Sequence, residues 1–175
     1  SSGQEAKTDK LDAKILAKFG AAMTPRRYVH RDAVRAELDE ILSRRTHVVR
    51  QRTQEVQYRE HVTHASLLER SDASILAFDA EIKALTQQAC ALTEKDEELH
   101  QQYVRLQTIP GVGPLVALCL LVGMPELGTL NKGEVASLAG LAPFNHDSGL
   151  MRGKRSIRGG RARVRQMLFI AATAN

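Results

Sequence analysis

The chain has 175 residues, 43% of them hydrophobic and only 4% aromatic, with 25 Lys and Arg against 20 Asp and Glu and a net charge of +5. This length holds one ordinary domain or two small ones. With no apolar run near the roughly 18 residues of a spanning helix and no signal-peptide pattern at the start, the sequence predicts a cytoplasmic protein without membrane association.

In chain order, "KTDKLDAKILAKFG" predicts a helix of about three turns. Thr8 is a candidate cap, Asp9 suits the positive N-terminal end, and Gly20 is expected to stop it. Met23 to Arg26 reads as a linker that includes Pro25. A helical pattern then runs from about Tyr28 to Leu68, with Val34, Leu38, Ile41, Val48, Val56 and Val62 near one seam that Arg45, Arg52 and Arg59 dilute. Ile75, Phe78, Ile82, Leu85, Ala89 and Leu92 step by three and four, the pattern of a heptad seam. Ser71, in "ERSDAS", is the expected N-cap and turn residue between these helices. The prediction is a long antiparallel helical hairpin, with arms of about 40 residues reaching on the order of 60 Å. An arm of that length commonly mates with a second copy, so a homo-oligomer is expected.

After a weak break at "TEKDEE" the pattern becomes helix, "IPGVGP", a helix from about Leu115 to Val122, a loop through Pro125 and Gly128, and a helix from about Lys132 to Gly140. A glycine-rich basic stretch follows, and then a helix from Ala162 onward. The only strand signal is a short pair around Ser148. The whole is mainly α, divided into residues 1–24, a helical arm over 25–107, and a small helical domain with a helix-hairpin-helix-like turn over 108–175. Cys90 and Cys119 stand singly on apolar helical faces, without CxxC spacing, and read as reduced core residues.

Several stretches carry candidate chemistry. In "IPGVGP" the glycines Gly111 and Gly113 let a backbone approach a phosphate, with free N–H groups at the start of the next helix. The same stretch also fits a tight helix-helix connection with Pro114 at the first helical position. Asp9 and Asp12 lie one turn apart, within reach of a shared divalent cation; acidic residues are also simply favoured in a first turn. His61 and His64 have no third convergent ligand and read as a solvated face. The Arg-rich helix with Arg44, Arg45, Arg50, Arg52 and Arg59 is balanced by Glu, which weakens it as a track for a nucleic-acid backbone.

The densest charge lies further on. Arg152, Lys154, Arg155, Arg158, Arg161, Arg163 and Arg165 face only Asp147 across that stretch. Such a patch predicts a polyanionic partner, nucleic acid before membrane headgroups. Within it Ser148 has two readings, a phosphate-binding hydroxyl in a basic loop or a nucleophile whose target phosphate the arginines polarise. His146 and Asp147 are its neighbours, but spacing assembles no triad.

Taken together and in this order, "AKTDKLDAKILAKFG", the hairpin, "IPGVGPLVALCLLVGM" and "LAGLAPFNHDSGLMRGKRSIRGGRARVRQML" resemble the DEDD-type transposases of bacterial insertion sequences, the 110/116/902 group. The resemblance implies a RuvC-like N-terminal domain, a coiled-coil arm and a C-terminal transposase domain. It implies that Asp9 and Asp12 match the last two of four acidic ligands for Mg2+, and that Ser148 attacks DNA phosphate to form a covalent serine–DNA link. Arg152, Lys154, Arg155 and Arg158 would orient the phosphate, and Arg161 is expected to join them in binding DNA. A structured guide RNA and an assembly sharing sites between subunits are further implications. The first two acids of the metal set have no counterpart here. The chain is therefore expected to be a C-terminal portion that binds DNA without cleaving it. A non-catalytic DNA-binding and oligomerising module is the rival reading; a purely structural coiled-coil adaptor is disfavoured by the basic end.

Overall fold

The computed structural model describes residues 9–22, 32–144, 156–157 and 159–174, apart from the side chains of residues 9–12 and of Phe144. Among these residues the fold is mainly helical, as predicted. It divides into two units at Arg31/Asp32.

The first unit contributes one helix, α1 (Asp9–Ala22). Gly20 does not stop it. A glycine in a helix interior costs only about 1 kcal/mol relative to alanine, and Ala21 and Ala22 carry the helix on. Thr8 and the linker around Pro25 lie outside the described residues.

The second unit begins with α2 (Ala33–Arg59), whose N-cap Asp32 accepts a hydrogen bond from the Arg35 backbone N–H at 2.6 Å. A turn over 60–64 leads to α3 (Ala65–Thr93). The turn is earlier than predicted. Ser71 is neither cap nor turn but a buried residue inside α3, 2% exposed, in a run where neither glycine nor proline interrupts the helix. The arms have 27 and 29 residues, about 40 Å at 1.5 Å per residue, shorter than the 60 Å expected.

The hairpin's register can be read from its polar cross-links. Arg45 Nε donates to Thr86 Oγ1 at 2.8 Å, Arg52 Nε to Asp79 at 2.5 Å, and Arg59 pairs with Asp72. Each step of seven along α2 is answered by a step of seven backwards along α3, the signature of an antiparallel pair whose heptads are in phase. The arginines that diluted the apolar seam are thus its cross-links. Arg44 is also engaged, with Glu81 at 2.8 Å. Of the arginines weighed as a nucleic-acid track, Arg44, Arg45, Arg52 and Arg59 all bond across the hairpin, while Arg50 is exposed. The predicted seam on α3 is oriented correctly, with Ile75, Phe78, Ile82 and Leu85 half-buried and Ala89 and Leu92 buried. Along this seam burial deepens toward the base, where later helices of the same unit also pack on the pair.

After a short turn, α4 (Glu97–Gln107) starts at the N-cap Asp96, which accepts from the Leu99 N–H at 3.0 Å. It is followed by α5 (Pro114–Gly123), α6 (Lys132–Ala139), a two-residue antiparallel pair β1 (Pro143–Phe144) and β2 (Ser156–Ile157), and α7 (Ala162–Thr173). Every residue of α5 from Val116 to Val122 is buried; a helix apolar all round belongs at the centre of a core. Around it gather Leu38, Ile41 and Leu42 of α2, Ala89 and Leu92 of α3, Leu99 and Tyr103 of α4, and Val164 and Ala171 of α7. One core therefore crosses the expected boundary after Gln107.

A central helix without polar side chains needs its end carbonyls satisfied from elsewhere. Two arginines do this. Arg35 Nη1 donates to Leu121 O at 2.7 Å and Arg161 Nη1 to Gly123 O at 2.8 Å, cations placed at the negative end of α5. Both predicted cysteines are free thiols: Cys119 is buried in α5, and Cys90 is half-buried on α3.

Candidate functional site

The turn between α4 and α5 separates the roles of its two glycines. Gly111 has φ +78°, a left-handed conformation that favours glycine, and a Cβ there would run into the Ala171 carbonyl of α7. Its smoothness serves internal packing. Gly113 is the N-cap of α5 at φ −80°, its side-chain direction is open, and no side chain caps this helix end. Pro114 follows at the first helical position. The first N–H groups of α5 thus remain without an intrahelical acceptor, the arrangement the phosphate-approach reading requires.

The segment around Ser148 is framed at both ends. Before it, α6 opens on a reciprocal cap in which Asn131 and Glu134 exchange hydrogen bonds at 3.0 Å, and it closes at Gly140 in the left-handed region, φ +71°. Pro143 and Phe144 then pair with Ile157 and Ser156. Beyond the pair, Gly160 at φ +66° packs against Gly140: a Cβ on Gly160 would collide with the Gly140 backbone, and one on Gly140 with the Gly159 carbonyl and the Arg165 guanidinium. The Arg161 N–H donates to Leu138 O at 2.8 Å. Ser148, Arg152, Lys154, Arg155 and Arg158 themselves lie outside the described residues.

Arg161, expected to bind DNA, is engaged inside the protein. Its two terminal nitrogens grip both oxygens of Glu126 at 2.6 Å, in addition to the Gly123 carbonyl. Hydrogen bonding to Glu126 raises its pKa further above the ordinary arginine value. Arg163 Nη1 reaches Asp39 on α2 at 3.0 Å, while its Nη2 is buried with no hydrogen-bond partner among the described residues. Arg165 Nη1 donates to Gly159 O at 2.7 Å. The three C-terminal arginines of the basic run therefore have partners that lie close in space but, for Glu126 and Asp39, far away in sequence. Counting charges within the run could not find them.

Other titratable groups have structural environments. Burial pushes the Cys119 thiol up, against the opposing pull of the Arg163 and Arg45 guanidinium groups. Tyr103 is pushed up to about 12, first by burial and then by its contact with Cys90 Sγ at 3.3 Å. His61 and His64 are exposed, and His64 Nδ1 hydrogen-bonds Ser66 Oγ at 2.9 Å. Among the described residues no group of three or more His, Cys, Asp or Glu could hold a metal ion. The backbone of α1 carries Asp9 and Asp12 one turn apart. Two carboxylates suit a hard divalent cation but supply only part of its oxygen shell. A shallow groove lined by Leu141, Ile157, Leu168, Phe169 and Ala172, edged by Arg165 and Gln166, contains no acid–base or metal-ligating group.

No helix among the described residues is long and apolar enough to cross a membrane. Residues 103–175 match the transposase IS116/IS110/IS902 family. That range contains the α4–α5 turn, α6, the strand pair and α7. Over 98% of its length the chain is 32% identical to the pilin gene-inverting protein of Moraxella bovis, and equally to that of Moraxella lacunata. It spans about half the length of these curated relatives, 54% of each. Residues 103–175 are thus similar to a transposase family, and nearly the whole of this chain is similar to about half of two pilin gene-inverting proteins.

Proposed function

We propose that the chain is the C-terminal part of a DNA transposase or recombinase of the DEDD type, in which Ser148 is the nucleophile and Arg152, Lys154, Arg155 and Arg158 hold the DNA phosphate it attacks. The observation that carries this reading is the family match over 103–175, the segment holding both the open N-terminus of α5 and the basic run around Ser148. The curated relatives are named for inverting a gene, an outcome reached by DNA rearrangement. Asp9 and Asp12 would supply two carboxylates to a Mg2+ site completed by acids outside this chain, and Mg2+ would stabilise charge on the phosphate under attack. In that attack the Ser148 Oγ would form a bond to phosphorus as its proton passes to solvent water, and the bond to the 3′ or 5′ oxygen would break, that oxygen keeping the electron pair and taking a proton from solvent to leave as a hydroxyl.

In this reading Gly113, at an uncapped and open helix end, would lie beside a phosphate, and Gly111, packed beneath α7, and Arg161, held on Glu126, would act as supports. A structured guide RNA and association through the helical arm belong to the same proposal. DNA binding by the 175-residue chain, titrated against salt, tests it. A steep loss of affinity with rising salt and no nicking are expected; a slope near zero, or robust nicking by this chain alone, contradicts it. The non-catalytic module remains the second reading, favoured by the exposed phosphate-ready end of α5, which contacts backbone without chemistry.

A further inference from the structure

We propose that the groove beside α7 is a binding site for one unstacked nucleobase of a DNA strand, with Phe169 supplying the stacking face and Gln166 a hydrogen bond to the edge of the base. The proposal rests on the DNA reading above. The groove has a volume of about 660 Å³, within the roughly 300–1,000 Å³ of sites that take a small organic ligand. The helix beside it is apolar on two sides. Val164 and Ala171 are buried in the core around α5. On the groove, Phe169 is 68% exposed, Ile157 53% and Leu141 41%. Single exposed apolar residues are ordinary, but three around one concavity mark a place where something docks.

The chemistry of the lining selects the occupant. An exposed aromatic ring is a platform for the face of any base. The exposed Gln166 comes one turn before Phe169 on α7, so its amide, both donor and acceptor, stands beside that platform. Arg165 lines the same groove with its Nη1 on the Gly159 carbonyl at 2.7 Å, a bond that leaves the positive charge in place. That charge suits an anionic strand. It opposes a second copy of this chain as the occupant, because a two-fold contact of groove on groove would bring two Arg165 side chains toward each other. A base inside a duplex has both faces covered by its neighbours, so the occupant is a base out of the stack. DNA rearrangement supplies such bases, since a strand leaving one duplex for another is unpaired beside the break.

The test uses the 175-residue chain with two DNA duplexes of one sequence, one fully paired and one carrying a single unpaired 5-iodouracil, and with the RNA counterpart of the second. The readouts are affinity, ultraviolet cross-linking located by mass spectrometry, and molecular mass in solution. The duplex with the unpaired base is expected to bind about 10-fold more tightly than the paired one and to cross-link at Phe169. Phe169→Ala abolishes that preference and Phe169→Tyr keeps it, while both leave the affinity for paired DNA and the unfolding midpoint unchanged. Gln166→Ala lowers the preference about 3-fold. Equal binding of the two duplexes by the unmutated chain, or a preference that survives Phe169→Ala or is lost equally in Phe169→Tyr, overturns the proposal. So does tighter binding of the RNA than of the DNA, or a dimer that Phe169→Ala dissociates. A preference unchanged in Gln166→Ala overturns the role given to Gln166. Failure of the DNA reading looks different: neither duplex binds at any salt concentration, and the base site falls with it, whereas salt-dependent binding that is equal for both sinks the base site alone.

Discussion

At the scale of single residues, the two glycines of "IPGVGP" have different jobs and should respond differently to the same change. Gly111→Ala places a Cβ against the Ala171 carbonyl in a left-handed backbone. It should destabilise the fold by about 2–4 kcal/mol, combining the conformational and overpacking penalties, as read by chemical denaturation. Gly113→Ala points into open space at an ordinary φ. Its stability should change by less than about 1 kcal/mol, while DNA affinity falls as the backbone is kept from the phosphate. Tyr103 gives a pH signature. Its folded value near 12 lies above the ordinary 10.0, so its contribution is complete below pH 10 and is lost as pH rises from 10 toward 12. Denaturation at pH 9 and pH 11 should show this loss, and Tyr103→Phe should reduce it.

At the scale of elements, most of the fold was legible because its signals are local. The predicted helices at Leu115–Val122 and Lys132–Gly140 lie within a residue or two of α5 and α6, where a proline, a capping box and a terminal glycine mark the ends. The hairpin turn was misplaced for a physical reason. "ERSDAS" offers capping residues, but the helix continues through Ser71 because Ile75 onward packs on α2, and a continued helix loses none of those contacts. Periodicity likewise treated Arg45, Arg52 and Arg59 as flaws in a seam, since their partners become visible only when α3 folds back. Two outcomes follow. Leu38→Ala, fully buried at the base, should cost about 2–5 kcal/mol, whereas Leu76→Ala, 69% exposed, should stay within about 0.5 kcal/mol. Asp72 has its carboxyl held below the ordinary 3.8 by Arg59. Its contribution is therefore present above that value and lost as pH falls through the lowered one, so acid should loosen the distal hairpin first, as followed by hydrogen exchange.

At the scale of the whole molecule, the charge of +5 is less evenly available than the sequence suggests. Arg161 and Arg163 are neutralised by Glu126 and Asp39, and Arg165 is drawn to a carbonyl. In the proposed reading the cationic contacts to DNA would then fall to Arg152, Lys154, Arg155 and Arg158. The candidate site was legible as a composition and an order of motifs, but its division between contacts and supports was not, because that division depends on pairings 35 and 124 residues apart. Salt dependence should register it: neutralising Lys154 should lower the salt slope by about 1, and neutralising Arg163 should not. The step proposed for this protein is a bond between Ser148 and DNA. It is tested most directly by incubating the full-length protein with its target DNA and Mg2+, digesting the covalent adduct and identifying the modified peptide by mass spectrometry. The expected result is a nucleotide on Ser148 and no adduct in Ser148→Ala; a linkage at any other residue, or an undiminished adduct in that variant, would contradict the account.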